Sequence, residues 1–273
     1  MSFDLLGKDL APLKRKRLFL LDMDGTIYNE NSLFPETPAF LQAIRDIGRY
    51  VFITNNSSKS VDRYVQKLQG MGIAAQISDF YTSTLATGAY LLEHFPNQTA
   101  YCVGTRDFVG ELRSLGVSVS ESIEEPSSVV VVAFDRELSY RKLREASELL
   151  TRGLPFIAAN PDRACPVAFG FEPDCGAICE TLYFATSRRP IYMGKPETFM
   201  IDHVISNSPY TKEETLIVGD RLYTDIACGI NANVDTLCVL SGEAKLEDIK
   251  NGEIKPTWVL PTVAEISDEI RGS

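Results

Sequence analysis

LFLLDMDGT, residues 18–26, is the run of residues that says most about how this chain folds. The four apolar residues that open it have the length of a strand buried on both faces, as strands of parallel sheets are. Gly25 then permits a sharp turn. Because open α/β folds place their chemistry where parallel strands end, Asp22 and Asp24 are predicted to lie in a crevice at the sheet's carboxyl edge. The alternative, a strand that merely ends in an Asp-rich turn, is disfavoured by the rest of the chain.

The pattern of an apolar strand followed by polar residues occurs twice more. Residues 50–53 run into Thr54-Asn55-Asn56-Ser57, and residues 215–218 run into Gly219-Asp220. Segments with helical spacing separate the strands, and this alternation predicts a parallel sheet with right-handed crossovers. If the three strands are neighbours in that sheet, the polar residues that follow them meet at one edge.

The middle of the chain restarts this alternation and predicts an α/β unit of its own, close to the usual size of a domain. Within it, residues 163–176 are predicted to form a loop. Lys195-Pro196 is predicted to open a helix that runs to about Ser206, since proline suits the first helical position. The sequence thus predicts an α/β fold with two domains, a core and an inserted unit, whose bounds are 1–83 with 187–273, and 84–186.

Composition and charge exclude several classes of function. The 273 residues carry a net charge of −10, which argues against a general nucleic-acid binder, since such proteins need a basic surface. No segment approaches 18 uninterrupted apolar residues, so neither a transmembrane helix nor a membrane partner is predicted, and the default location is the cytoplasm. Six cysteines without a C-x-x-C pair predict reduced thiols rather than a zinc site or a disulfide framework.

The polar residues after the three strands have the chemistry of a phosphate and magnesium site. Three carboxylates repel one another unless a counter-charge is present, and Mg²⁺ prefers oxygen ligands, so Asp22 and Asp220 are predicted to bind it directly. Thr54, the N–H groups after it and Lys195 fit a phosphate clamp. Asp22 can attack phosphorus to form an acyl phosphate, while Asp24 gives and then takes the proton.

Four motifs resemble those of the haloacid dehalogenase (HAD) superfamily, and in the same order. They are Asp22-Met23-Asp24-Gly25-Thr26, Thr54-Asn55-Asn56, Lys195, and the run from Gly219 to Asp225. Asp-Gly-Thr-x-Tyr, Gly-Lys-Pro and Gly-Asp-Arg-x-x-Thr-Asp are closer still to the NagD-like, 4-nitrophenylphosphatase subgroup (subfamily IIA), as are Phe134-Asp135-Arg136 and Asn160-Pro161-Asp162. The resemblance spans nearly the whole chain.

The resemblance implies a Rossmann-like core with an inserted α/β cap of the C2a type. It implies that Asp22 is the nucleophile and Asp24 the acid and base. Mg²⁺ would be bound by Asp22, the backbone carbonyl of Asp24 and Asp220, while Asp225 supports the metal site through water or Lys195. Phosphate or substrate binding is predicted for a set drawn from the second and third motifs and the cap, namely Thr54, Asn55, Asn56, Lys195, Asn160, Asp162 and Asp174.

Asp174 departs from the subgroup's pattern. The cap loop of the subgroup reads Pro-Gly-x-Gly-Ala, and here it reads Pro173-Asp174-Cys175-Gly176-Ala177. The Asp174 side chain either points toward the substrate or replaces a turn glycine, and the sequence leaves both open.

A magnesium-dependent phosphatase of small phosphate esters is the function predicted from these residues. A lid over the nucleophile would exclude folded proteins and nucleic acid polymers, leaving sugar phosphates, glycerol phosphates, nucleoside monophosphates, 4-nitrophenyl phosphate and pyridoxal phosphate. A phospho-acceptor signalling module and a phosphomutase are the alternatives. The sequence leaves the metabolite and a homo-oligomeric state open.

Overall fold

The apolar residues that open the LFLLDMDGT stretch form β1 (Leu18–Leu21), an interior strand of a six-stranded sheet. In the computed structural model, which describes residues 2–271, the strands of this sheet follow the order β15-β14-β13-β1-β4-β5. Each of the pairs β1–β13, β1–β4, β13–β14 and β14–β15 is parallel. Leu21 lies opposite Val218 on one side and Phe52 on the other, so the chain segments that follow these strands leave the sheet at the same edge.

The strands are short and most are buried. Their bounds are β1 (Leu18–Leu21), β2 (Tyr28–Asn29), β3 (Ser32–Leu33), β4 (Arg49–Thr54), β5 (Phe80–Thr82), β6 (Thr99–Val103), β7 (Ser118–Ser120), β8 (Val129–Val132), β9 (Phe156–Ala158), β10 (Ala164–Val167), β11 (Gly170–Pro173), β12 (Ile191–Tyr192), β13 (Thr215–Gly219), β14 (Asp235–Val239) and β15 (Trp258–Leu260). All four residues of β1 are fully buried, which accounts for its unbroken apolar run.

Helices connect the strands and cover the sheets. Their bounds are α1 (Thr37–Ile47), α2 (Val61–Gly70), α3 (Ser83–His94), α4 (Arg106–Ser114), α5 (Tyr140–Thr151), α6 (Cys175–Thr186), α7 (Phe199–Ser206), α8 (Ala227–Ala232), α9 (Leu246–Asn251) and α10 (Ala264–Arg271). A π-helical turn, Leu222–Ile226, leads into α8. Every helix between residues 2 and 271 is too short or too polar to span a lipid bilayer.

The chain divides into two compact units. The first takes the described residues up to Ile53, Val65–Tyr81, and the described residues from Lys195 onward. The second takes Thr54–Tyr64 and Thr82–Gly194 and contains a five-stranded sheet with the order β12-β9-β8-β6-β7, whose neighbours are all parallel. The predicted α/β class with parallel sheets is confirmed.

Two sequence predictions are wrong in detail. The segment predicted to be a loop at 163–176 contains the antiparallel hairpin β10–β11 and the start of α6. This hairpin is largely exposed on both faces, so its sequence lacks the alternation that would predict strands. Lys195-Pro196 does not open a helix, because α7 begins only at Phe199 and the residues between form turns.

All six cysteines are free thiols, as predicted, and five of them are buried. Burial raises the pKa of Cys228 to about 12 and that of Cys238 likewise. These thiols therefore serve as small apolar core residues rather than nucleophiles.

Glu111 on α4 is a carboxylate in an unfavourable place. Its Oε1 accepts a hydrogen bond from the backbone N–H of Val61, the first residue of α2, at 2.9 Å, while its Oε2 is buried with no hydrogen-bond partner in the described residues. Burial raises the pKa of Glu111 to about 7, the Val61 N–H opposes this, and Asp62 and Asp107 add to it by repulsion. The folded protein therefore binds this proton more tightly than the unfolded chain does.

We expect Glu111→Gln to change how stability depends on pH. Since the folded-state pKa is raised from 4.5 to about 7, Glu111 stabilises the fold at low pH and loses that contribution as pH rises through this window. The variant should gain roughly 2 kcal/mol in unfolding free energy relative to wild type between pH 5 and pH 8. Urea unfolding of the variant and of the wild type at pH 5 and at pH 8 measures this gain in unfolding free energy. Glu148→Gln, at an exposed carboxylate, is the control and should show no such gain.

Candidate active site

Three carboxylates and one ammonium converge beyond the ends of β1 and β13. Asp22 follows β1, Asp220 follows β13, and Asp225 lies in the π-helical turn; one oxygen of each lies within 4.8 Å of the others. The Lys195 Nζ donates to Asp22 Oδ1 and to Asp225 Oδ1, both at 2.6 Å. It also donates to the carbonyl oxygen of Ile53 on β4 at 3.2 Å. All four residues are at most partly exposed, so the charges interact strongly.

Burial and mutual repulsion shape the protonation of this cluster. Burial raises the pKa of Asp22 to about 6; Lys195 works against this rise and Asp225 adds to it. Burial raises the pKa of Asp220 to about 7, and the charges of Asp22 and Asp225 add to the rise. Burial alone would lower the pKa of Lys195, but Asp22 and Asp225 outweigh it, so the pKa is raised and the ammonium stays charged. The cluster carries excess negative charge and suits a cation.

Asp220 is held by backbone that approaches it closely. The N–H of Glu243 donates to Asp220 Oδ2 at 2.8 Å, and a Cβ added to Gly242 would lie 2.0 Å from the same oxygen. Gly25, at a φ of +89°, makes a similarly close approach, since a Cβ there would lie 2.4 Å from that oxygen. Glycine is therefore required on both sides of this carboxylate, and the Gly25 in the opening motif has a structural reason beyond its turn.

Asp24 differs from Asp22 in its surroundings. Its side chain is exposed, and its Oδ1 accepts a hydrogen bond from the N–H of Glu30 at 3.3 Å. The turn that contains it is closed by a hydrogen bond from the Gly25 N–H to the Tyr28 carbonyl at 2.8 Å. Asp22 thus lies in a charged cluster, whereas Asp24 lies in a solvated position.

The residues of the second motif lie at the end of β4, the neighbour of β1. Thr54 is the last residue of that strand, and its Oγ1 accepts a hydrogen bond from the N–H of Asn56 at 3.2 Å. Asn56 Oδ1 accepts from the N–H and the hydroxyl of Ser58, at 2.9 and 2.7 Å. Asn55 is buried and donates through Nδ2 to both carboxylate oxygens of Asp162, at 3.1 and 3.2 Å.

The residues predicted in the inserted unit are held by the protein itself. Asn160 is fully buried and donates through Nδ2 to the carbonyl of Asn55 at 2.7 Å. Asp174 is 4% exposed, and its Oδ1 accepts from the Cys175 N–H at the start of α6. Burial raises the pKa of Asp174 to about 7; the Cys175 N–H opposes the rise and Asp162 adds to it. Of the two interpretations of Asp174, this geometry favours a helix cap that replaces a turn glycine.

Two features of the site escaped the sequence prediction. The Arg221 N–H donates to Asp225 Oδ2 at 3.1 Å, and its guanidinium lies 3.1 Å from the carboxylate of Glu243. Burial opposes ionisation of Arg221, but Asp22 and Asp220 raise its pKa, so it adds positive charge beside the cluster. The segment from Ser241 to Glu243 follows β14, the neighbour of β13. The polar residues that follow this strand in the sequence could have predicted that the segment lies at the site.

Two family models match the chain, one in its N-terminal part and one in its C-terminal part. The model described as haloacid dehalogenase-like hydrolase matches residues 19–118, and a second, HAD-hydrolase-like, matches residues 192–266. The acid sugar phosphatase of Staphylococcus epidermidis is 34% identical over 90% of this chain and 95% of its own. The ribonucleotide monophosphatase NagD of Escherichia coli is 34% identical over 90% of this chain and 96% of its own.

Solved structures give the same result. The 4-nitrophenylphosphatase of Thermotoga maritima superposes with a TM-score of 0.91 at 35% identity, covering 95% of this chain and 99% of that one. A glycerol phosphate phosphatase of Mycobacterium tuberculosis in complex with magnesium superposes with a TM-score of 0.87 at 26% identity, covering 93% and 77%. The chain belongs to the haloacid dehalogenase-like hydrolase family, in its NagD-like group. It is accordingly a phosphoric monoester hydrolase.

Proposed function

We propose that this enzyme hydrolyses small phosphate monoesters through a phosphoaspartyl intermediate on Asp22, with Mg²⁺ as cofactor. The observation that carries the proposal is the convergence of Asp22, Asp220 and Asp225 within 4.8 Å, with Lys195 paired to two of them. The placement combines a carboxylate nucleophile with the positive charge that a phosphate dianion needs.

The donor set fits magnesium. Carboxylate oxygens are hard ligands, and Mg²⁺ takes one or two carboxylates together with waters and substrate phosphate. Asp22 and Asp220 would hold the ion with the backbone carbonyl of Asp24, and Asp225 would support the site through Lys195, to which it is bonded. When bound, the ion would neutralise charge that builds up on the phosphoryl oxygens.

Asp22 and Asp24 divide the chemistry. A carboxylate oxygen of Asp22 forms a bond to phosphorus as the bond from phosphorus to the ester oxygen breaks, and Asp24 donates a proton to that leaving oxygen. A water then attacks the phosphorus of the acyl phosphate, with Asp24 taking its proton. The bond to Asp22 breaks, and inorganic phosphate and free carboxylate result. The exposed position of Asp24 suits exchange of protons with substrate and water.

Thr54, Asn56 and Lys195 are proposed to bind the phosphoryl group. At the end of β4 the Asn56 N–H donates to Thr54 Oγ1 at 3.2 Å. The hydroxyl keeps its own proton to donate to an anionic oxygen, and the N–H can be shared between Oγ1 and that oxygen. Lys195 contributes a fixed positive charge. Asn55 lies in the same segment, but its Nδ2 donates to Asp162. We therefore propose that Asn55 fixes the conformation of this segment and does not bind the phosphate.

Residues 84–186 are proposed to form the cap that restricts the substrate to small molecules. Relatives act, by their names, on sugar phosphates, ribonucleotide monophosphates, 4-nitrophenyl phosphate and glycerol phosphate. We infer the same chemical class for this enzyme and no activity on nucleic acid polymers. The cytoplasmic location and the homo-oligomeric state remain predictions from the sequence.

Phosphate release from a panel of these esters tests the proposal. The expected result is many turnovers per chain with Mg²⁺, none after EDTA treatment, and recovery when Mg²⁺ is restored. One stable phosphorylation event per chain would instead indicate a phospho-acceptor module. Transfer to a second sugar hydroxyl in preference to water would indicate a phosphomutase.

We expect Asp24→Asn to impair hydrolysis unequally among substrates. Without its proton donor the enzyme must expel the ester oxygen as an alkoxide, so kcat/KM for a sugar phosphate should fall by about 10² to 10⁴. 4-Nitrophenol leaves readily as an anion, so formation of the acyl phosphate from its ester should fall least. Burst rates, which report formation of the acyl phosphate, measured with the sugar phosphate and with 4-nitrophenyl phosphate give the difference. Equal loss with both esters would show that Asp24 is not the acid.

A further inference from the structure

The peptide bond between Asn55 and Asn56 is held from one side by two buried donors. The carbonyl oxygen of Asn55 accepts a hydrogen bond from Asn160 Nδ2 at 2.7 Å and another from the Ser83 hydroxyl at 2.6 Å. Asn160 and Ser83 are both fully buried. Charge-neutral hydrogen bonds of this length in a dry environment leave the carbonyl little freedom to turn.

Fixing that carbonyl also fixes the N–H on the other side of the peptide. In a planar trans peptide the carbonyl of one residue and the N–H of the next point in opposite directions. The N–H of Asn56 is accordingly directed away from Asn160 and donates to Thr54 Oγ1 at 3.2 Å. The hydroxyl and the N–H that we assign to phosphate binding therefore lie on the same side of the chain.

Asn160 is itself locked in place. Its Oδ1 accepts a hydrogen bond from the N–H of Asp162 at 3.0 Å, which closes an Asx-turn across Pro161. Both carboxylate oxygens of Asp162 then receive Asn55 Nδ2. The turn at 160–162 thus holds both the backbone and the side chain of Asn55, and both ends of the Asn160 amide are engaged by the protein.

We propose that Asn160, supported by Asp162, is a positioning residue that orients the Asn56 N–H for the phosphoryl group rather than a residue that contacts the substrate. This inference rests on the proposed phosphatase function and replaces the direct substrate contact that the sequence predicted for the two residues. A residue that shapes only the phosphate cradle acts identically on all esters, because the phosphoryl group is common to them. A residue that contacts the rest of the substrate affects the KM of each ester differently, because that part differs among the esters.

Asn160→Ala tests this with a panel of esters and inorganic phosphate. The KM of every ester and the inhibition constant of inorganic phosphate should rise by one common factor, on the order of tenfold for a lost buried hydrogen bond. The ranking of substrates should not change. Ser83→Ala removes the other bond to the same carbonyl and should shift the same constants in the same direction. It provides an independent test if Asn160→Ala fails to fold.

Thr105→Val is the matched control. Thr105 is buried, and its hydroxyl donates to the carbonyl of Ser58 at 3.1 Å, in the same segment but beyond the Asn55–Asn56 peptide. It should lower the melting temperature and leave KM and the phosphate inhibition constant unchanged.

Three results would overturn the positioning role. They are a substrate-dependent rise in KM with unchanged phosphate inhibition, no change in either constant for Asn160→Ala and Ser83→Ala, and an equal rise in Thr105→Val. Failure of the proposed function would look different, since the wild-type enzyme with Mg²⁺ would then release phosphate from none of the esters.

Discussion

Asp22→Asn is expected to abolish phosphatase activity, lowering kcat by a factor on the order of 10⁴ or more, as loss of a covalent nucleophile does. An amide oxygen is too weak a nucleophile to attack phosphorus, and it does not balance the charge of a metal ion. The loss should be equally complete with sugar phosphates and with 4-nitrophenyl phosphate, because a good leaving group cannot replace a nucleophile. Phosphate release under saturating substrate measures it.

The Asp22→Asn variant should remain folded, which separates loss of chemistry from loss of structure. Lys195 keeps its ion pair with Asp225, and removal of one of three neighbouring carboxylates relieves repulsion. Asp46→Asn, at an exposed carboxylate of α1, is the control and should retain wild-type turnover. Residual activity of more than a few per cent in Asp22→Asn, after deamidation is excluded by mass spectrometry, would show that another group attacks phosphorus.

Lys195→Met should damage both stability and catalysis. The side chain of Lys195 is 2% exposed, and its removal leaves the buried Asp225 and the partly exposed Asp22 beside each other without their shared cation. Breaking a buried ion pair by removing one partner costs about 3–5 kcal/mol of unfolding free energy. Loss of a fixed charge at the phosphoryl group should lower kcat/KM by about 10²–10³. Urea unfolding and steady-state kinetics at a temperature where the variant is folded measure the two effects.

The second unit offers a matched control for that substitution. Lys142 is also buried, and its Nζ donates to Asp135 Oδ2 at 2.7 Å and to the Gly104 carbonyl at 2.9 Å. Lys142→Met should therefore cost a similar amount of stability and leave kcat of the folded enzyme unchanged. Equal kinetic damage in the two variants would mean that Lys195 acts only through stability.

The local signals that predicted the core of the site were strong because they are short-range. The buried strand β1 reads directly as an apolar run, and Asp22 and Asp220 follow their strands without intervening elements. Since parallel neighbours end at one edge, their meeting follows from fold class alone. Lys195 lies beside Asp22 and Asp225, although the helix predicted to begin at Lys195 begins only at Phe199.

The parts that escaped prediction depend on contacts between distant segments. Nothing local distinguishes a turn glycine from Gly242, whose role is to let Glu243 reach Asp220. In the sequence, Asp174 is indistinguishable from a polar loop residue. Its role as a helix cap is evident only in the structure, where α6 begins at Cys175. Asn160 was assigned to substrate binding through the resemblance of its motif to the NagD-like subgroup, but its Nδ2 donates to the carbonyl of Asn55, 105 residues earlier in the chain.

Trapping the phosphorylated enzyme tests whether Asp22 is the residue that attacks phosphorus. The enzyme is quenched with acid during turnover, reduced with borohydride to convert an aspartyl phosphate to homoserine, and mapped by tryptic peptides, of which residues 18–45 contain Asp22 and Asp24. Homoserine is expected at position 22 alone, dependent on Mg²⁺ and absent from Asp22→Asn. Homoserine in place of another aspartate, or full turnover with no modified residue, would show that Asp22 is not the nucleophile.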